Sequence, residues 1–146
     1  MIVIRKSKEP STRRNVMRWY LAVLKNYVGF KGRARRKEYW MFFLFNVIFT
    51  IVAVVLDNIL SITIQGLGYG PIYIVYALAI ILPALAVSVR RLHDTGRSGG
   101  FIFINLIPLV GVIWYLVLVC TKGDVGPNNY GDDPKAAAQI AAPAVP

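Results

Sequence analysis

Residues 101–120 read F-I-F-I-N-L-I-P-L-V-G-V-I-W-Y-L-V-L-V-C. Only Asn105, Pro108 and Gly111 interrupt the apolar run. A helix needs ~20 apolar residues to cross ~30 Å of hydrocarbon, so the stretch is long enough to span a membrane. Pro108 removes a helix hydrogen bond, and Gly111 loosens the turn that follows. The simpler reading is one kinked span. The alternative is a re-entrant hairpin turning at 108–111, with arms of about nine residues, each too short to cross at ~1.5 Å per residue.

Two further runs of this kind precede it, at about 39–56 and 71–89, the first interrupted by Asn46 and Thr50 and the second by Pro83 and Ser88. Hydrophobic residues make up 56% of the 146, and charged residues only 16%, against ~25% in a soluble domain. One domain is expected from this length. The composition argues against a disordered chain, and a soluble globule would struggle to bury so much apolar surface.

The formal net charge is nevertheless +10. Residues 1–38 hold twelve Lys/Arg against Glu9 and Glu38, and 90–98 hold Arg90, Arg91 and Arg97 against Asp94. Segment 57–70 has only Asp57, and the tail from 121 sets two Lys against three Asp. Basic loops face the cytoplasm. The expected fold is an all-α integral membrane protein with three transmembrane helices, the third kinked or re-entrant, plus an N-terminal amphipathic interfacial helix. On the three-span reading the N-terminus is cytoplasmic and the C-terminus periplasmic. On the hairpin reading the tail returns to the cytoplasm.

Upstream of the first run, Val16, Trp19, Tyr20, Val23, Leu24, Tyr27 and Val28 follow helical i, i+3, i+4, i+7 spacing, with Asn15 as an N-cap and Gly29 as a stop. An amphipathic helix over about 15–30 is expected, lying on the inner leaflet or packed against the cytoplasmic end of the bundle by the same face. F-K-G-R-A-R-R-K-E-Y-W follows at 30–40. Together with the helix it forms a collar for anionic phospholipid or a protein partner: Arg18, Lys25, Lys31, Arg33, Arg35, Arg36 and Lys37. Each cation near an anionic surface contributes roughly 1 kcal/mol. Nucleic acid is not expected as a partner, because the cluster abuts a membrane span. Residues 1–14 are expected to be a disordered basic extension, 15–135 the membrane domain and 136–146 a disordered tail. The long basic leader and the absence of an A-x-A site argue against a cleaved signal peptide. Cys120, the only cysteine, reads as a small apolar residue.

The densest polar chemistry is R-R-L-H-D-T-G-R-S-G-G at 90–100. G-R-S-G-G formally matches a hydrolase elbow, but that elbow needs a preceding strand, so Ser98 is not expected to be a nucleophile. One His beside one Asp falls short of a metal ligand set. No catalytic residue, metal or cofactor is expected. Glu38, Arg90, Arg91, His93, Asp94 and Arg97 read instead as a structural polar cluster at the inner face. Ionisable groups at that depth pair, so Glu38 is expected on Arg90 or Arg91, and Asp94 on Arg33, Arg35 or Arg36. The tail segment G-D-V-G-P-N-N-Y-G-D-D-P at 123–134 is turn chemistry. It fails as a calcium loop, because Lys135 stands where the twelfth position needs Glu. A turn capping the third helix is the expectation.

W-Y-L-A-V-L-K-N-Y-V-G-F-K-G-R-A-R-R-K-E-Y-W at 19–40, L-A-V-S-V-R-R-L-H-D-T-G-R-S-G at 85–99 and G-P-N-N-Y-G-D-D-P at 126–134 resemble the bacterial "domain of unknown function 805" family. The resemblance runs from about Met17 to Lys135. It implies a small inner-membrane protein with three or four spans, and no established activity, substrate or cofactor. Family members often begin near Met17, so residues 1–16 are expected to be an extension or an upstream start. Asn129 stands where the family commonly has Arg, and Gly100 where it commonly has an aromatic residue.

The function expected from these readings is that of a non-enzymatic, lipid- or protein-interacting membrane component. All dense polar motifs flank the apolar runs. The alternative is a subunit of a small oligomeric transporter or channel. Transport sites place ionisable residues within spans, and here only neutral Asn46, Thr50, Ser88 and Asn105 are available. A homo-oligomer or a membrane protein partner fits either reading.

Overall fold

The structure, a computed structural model, describes residues 17–136. The expectations for 1–14, for the Asn15 cap and for nearly all of 136–146 lie outside the described residues. Those described form helices and turns, in the order α1 (Met17–Lys25), α2 (Arg36–Ile59), α3 (Pro71–Asp94), a 3₁₀ segment (Gly99–Leu106) and α4 (Val110–Cys120).

Helices α2 and α3 are each 24 residues long and apolar enough to cross a membrane. Only 11% and 17% of their apolar windows are buried inside the molecule. Helices of a soluble core would be mostly covered. Here Ile51, Val55, Val75 and Leu78 point outward.

Asp57, fully buried at the end of α2, links the two long helices at their far end. Its two carboxylate oxygens accept the Ile72 and Tyr73 amides at 3.1 and 2.9 Å. The N-terminal amides of a helix lack intrahelical acceptors and carry partial positive charge. Gly70, the N-cap of α3, has no side chain to serve them, so the cap comes from the neighbouring helix. A Cβ on Gly70 would lie 2.3 Å from the Asp57 carboxyl carbon.

Helix α1 packs its apolar face against this pair. Tyr20 and Val23 are buried. The Tyr20 ring lies 5.4–5.5 Å from those of Phe42, Phe45 and Phe49, which share one face of α2 at i, i+3, i+7. The helix thus packs on the bundle by its apolar face, one of the two placements expected for it, which can hold together. The helix is also shorter than expected, ending at Lys25 in turns that reach Val28. Just beyond it, the Tyr27 hydroxyl donates to the Ala79 carbonyl. Pro83, inside α3, has no N–H to give its i−4 partner, which is Ala79. Tyr27 replaces that missing donor, and in an apolar environment an unsatisfied carbonyl is costly.

The third apolar run departs from a single span. Residues 99–106 form a 3₁₀ helix, and a separate eleven-residue α4 begins at Val110. Between them the chain reverses. Leu109 has φ 62° and ψ −61°, and the Val110 amide donates to the Pro108 carbonyl at 2.7 Å, a γ-turn of the rare positive-φ kind. A Cβ on Gly111 would stand 1.8 Å from the Ile104 carbonyl oxygen, so only glycine permits the arms to close. Both ends of the run lie at the C-terminal end of α3. Gly99 sits against Val89, and the Val119 carbonyl accepts from Arg91 at 3.0 Å. The arms measure ~16 Å each, taking eight residues at ~2.0 Å and eleven at ~1.5 Å. The physical reason is that Pro108 removes the amide a continuous helix needs while Gly111 allows close backbone approach.

Candidate functional site

Because the hairpin returns, three segments distant in sequence meet at one end of the bundle: 30–38, 90–98 and 121–135. Asp94 is their centre. It is 2% exposed, and its carboxylate joins Arg33 at 3.0 Å and also pairs with Arg91. Its own carbonyl accepts the Asp124 amide at 2.7 Å. Gly123 passes so close that a Cβ there would lie 1.9 Å from Asp94 Oδ2. Two cations on one carboxylate, all buried, leave one net positive charge, which backbone dipoles must balance.

They do so through the tail. Arg33 donates to the Asp124 and Gly126 carbonyls, both at 2.6 Å, and to the Gly131 carbonyl at 3.4 Å. Arg91 donates to the Val119 and Thr121 carbonyls, and Arg36 to the Cys120 carbonyl at 3.0 Å. The last carbonyls of α4 have no intrahelical donors and carry partial negative charge, and two guanidinium groups cap them. The expected turn after the third run is present, but the α4 caps come from α2 and α3.

The rest of the tail is fastened to the same end. The Tyr130 ring stacks on His93 at 4.0 Å, nearly parallel, and His93 Nδ1 lies 3.2 Å from the Gly32 carbonyl. Asn128 donates to the His93 carbonyl at 2.9 Å. Asp133 accepts the Lys135 and Gly126 amides at 2.8 and 3.2 Å, and these bonds hold its carboxyl below the usual carboxylate range.

Of the pairs expected from sequence, Glu38 meets Arg90 at 2.9 Å, and Asp94 meets Arg33. Arg90 Nε and Nη2 are buried and have no partner among the described residues, where Glu38 is the acceptor for that charge. Arg97 is exposed, with its guanidinium 5.2 Å from the Phe101 ring centre. The collar residues separate. Arg18, Lys25, Lys31, Arg36 and Lys37 are exposed, and Arg35 is half-buried. Arg33 is not on the collar surface. It is buried, and its donors are taken up by Asp94 and the tail. A chain placing Arg33 three residues before α2 gave no sign that residues 124–131 would wrap it.

A cavity of about 670 Å³ opens beside the cluster, between the first turn of α2 and the tail. Arg35, Arg36, Lys37 and Lys135 stand on its wall with Trp40 and Met41. Both carboxylates of the buried cluster, Glu38 and Asp94, are engaged in ion pairs. Among the described residues, no three His, Cys, Asp or Glu side chains gather as a metal set would. The two amides within the apolar runs are also engaged: Asn46 accepts from the Tyr76 hydroxyl at 2.6 Å, and Asn105 donates to the Ile102 carbonyl at 3.1 Å. The arrangement can bind anions and lock the tail in place.

Comparison with known proteins agrees with this picture of a membrane helix bundle. The family model described as "Protein of unknown function (DUF805)" matches residues 27–132. The chain is 50% identical over 119 residues to inner membrane protein YhaI of Escherichia coli (strain K12), an alignment spanning 82% of this chain and 97% of that protein. It is 51% identical over 119 residues to inner membrane protein YhaH of the same strain, spanning 82% and 98%. No solved structure matches.

Proposed function

This chain belongs to the DUF805 family of proteins of unknown function, and on that premise we propose that it is a non-enzymatic component of the bacterial inner membrane. It crosses twice, through α2 and α3, and dips a re-entrant hairpin from the cytoplasmic face. Both termini are cytoplasmic, and the collar there engages anionic phospholipid headgroups. The observation that carries this reading is the return of residues 99–120 to the Arg91 end of α3, with the tail folded onto 30–38 and 90–98.

Charge supports the orientation. No Lys or Arg lies between 38 and 89 or between 98 and 121. The segments that meet at the cluster therefore hold the basic residues, and the opposite loop, 57–70, has none. The relatives named inner membrane proteins support the location. The ion-paired state of Glu38 and Asp94 supports a structural role for them, since a general base needs a free carboxylate.

Paired reporters test the topology, one active only in the cytoplasm and one only in the periplasm. Fused after Pro146, the cytoplasmic reporter is expected to work. Inserted after Gly66, in the far loop, the periplasmic one is. Periplasmic activity at Pro146 would restore three spans and overturn this placement.

A further inference from the structure

We propose that the cavity beside the first turn of α2 is a binding site for a phosphate group, that of one anionic phospholipid. This inference rests on the membrane placement proposed above, and it narrows a diffuse collar to one pocket.

Four cations, Arg35, Arg36, Lys37 and Lys135, share the cavity wall. They come from opposite ends of the chain, so the pocket exists only because the tail is folded onto α2. Asp94, the one acid on the wall among the described residues, offers no counter-charge, because Arg33 and Arg91 hold both of its oxygens. Phosphate oxygens are what such a set recognises: guanidinium groups bind them as paired donors and ammonium groups as point charges.

The remaining wall identifies the carrier. Trp40 and Met41 line the same cavity one turn deeper along α2, where the apolar run begins. Trp favours the headgroup boundary, and Met suits an irregular apolar surface. A cavity with a cationic end and an apolar end fits an amphiphile better than a free anion. Its volume of about 670 Å³ lies within the range of small-molecule sites. Basic pockets between membrane helices on the cytoplasmic side are where phospholipid headgroups lodge.

The test uses the full chain, purified in mild detergent and offered equal phosphatidylglycerol and phosphatidylethanolamine, with retained lipid read by native mass spectrometry. Wild type is expected to keep one phosphatidylglycerol. In R35Q/K37Q/K135Q that retention falls by on the order of tenfold or more. In K122Q, which removes an exposed cation that neither belongs to the collar nor lines the cavity, it is unchanged. Equal loss in both variants, or no loss in the first, overturns the site. The side chains removed in the first variant make no hydrogen bond recorded among the described residues, and Arg36, which caps α4, is kept. Should the triple variant lose helicity, K135Q alone is measured, and wild-type retention by K135Q overturns the site. Inorganic phosphate separates the two sources of the group. Thermal stabilisation by short-chain phosphatidylglycerol but not by phosphate supports a lipid site, and equal stabilisation by phosphate alone overturns it. The topology reporters keep the two proposals apart. Periplasmic activity at Pro146 removes the membrane placement, whereas a cytoplasmic result with unselective lipid retention removes only the pocket.

Discussion

At the scale of single residues, buried charges have few acceptors, and each is exposed to loss. Asp94 serves two guanidinium groups at once. Asp94→Asn leaves both without their counter-ion, and breaking a buried pair costs ~3–5 kcal/mol. The expected result is a large fall in the thermal unfolding temperature and in membrane-extracted protein. Glu38→Arg is expected to lower protein levels in the same way, and Arg90→Glu on top of it to restore them, while Arg91→Glu does not. Rescue by neither Arg would break the assignment of that pair. Tyr27→Phe removes the donor to the Ala79 carbonyl, which α3 cannot satisfy because of Pro83, and in hydrocarbon an unpaired carbonyl costs ~1–3 kcal/mol. The same loss is not expected if Pro83→Ala is made first, because the helix amide then supplies the donor. Asp133 gives a pH dependence. Its carboxyl titrates below the usual range because the Lys135 and Gly126 amides bond the charged form. That contribution to tail docking is present above the unfolded value, ~3.9, and is lost as pH falls through the lower folded value. Exchange of the Gly126 and Lys135 amides should accelerate only below that range, and Asp133→Asn should remove the transition.

At the scale of elements, two helix ends here are finished by residues from elsewhere. Asp57 caps α3, and Arg91 and Arg36 cap α4. Asp57→Ala is expected to cost ~1–2 kcal/mol, the range for a lost cap. Circular dichroism would show the loss as an earlier melting transition. The hairpin depends on the missing side chain of Gly111. Gly111→Val drives a side chain into the Ile104 carbonyl and should open the arms. Cysteine-accessibility labelling at residue 109 would report the opening as a change in exposure. These elements were partly legible. The long runs gave α2 and α3, because about twenty apolar residues have few other uses. Pro108 and Gly111 mark a break in the third run but leave a kink and a turn both open. The caps were not legible, since a residue such as Gly70 shows only that it lacks a side chain, not which distant one replaces it.

At the scale of the whole molecule, the tail closes the structure. Residues 124–131 supply three carbonyls to Arg33, and Tyr130 covers His93. Truncation after Cys120 is expected to destabilise the whole bundle rather than release an inert end, and pulse proteolysis would distinguish the two. Composition, run length and charge placement sufficed for a membrane bundle with its cations toward one side, because hydrophobic length and Lys/Arg bias are properties of local sequence. The candidate pairs Glu38–Arg90 and Arg33–Asp94 were within reach for a related reason: charges flanking neighbouring spans share a depth. Two outcomes belonged to tertiary structure alone. One is that the third run turns back, which hinges on whether a backbone can pass Gly111 within contact of Ile104. The other is that Lys135 joins Arg35, Arg36 and Lys37 around one cavity, a meeting of residues a hundred positions apart that no local pattern encodes.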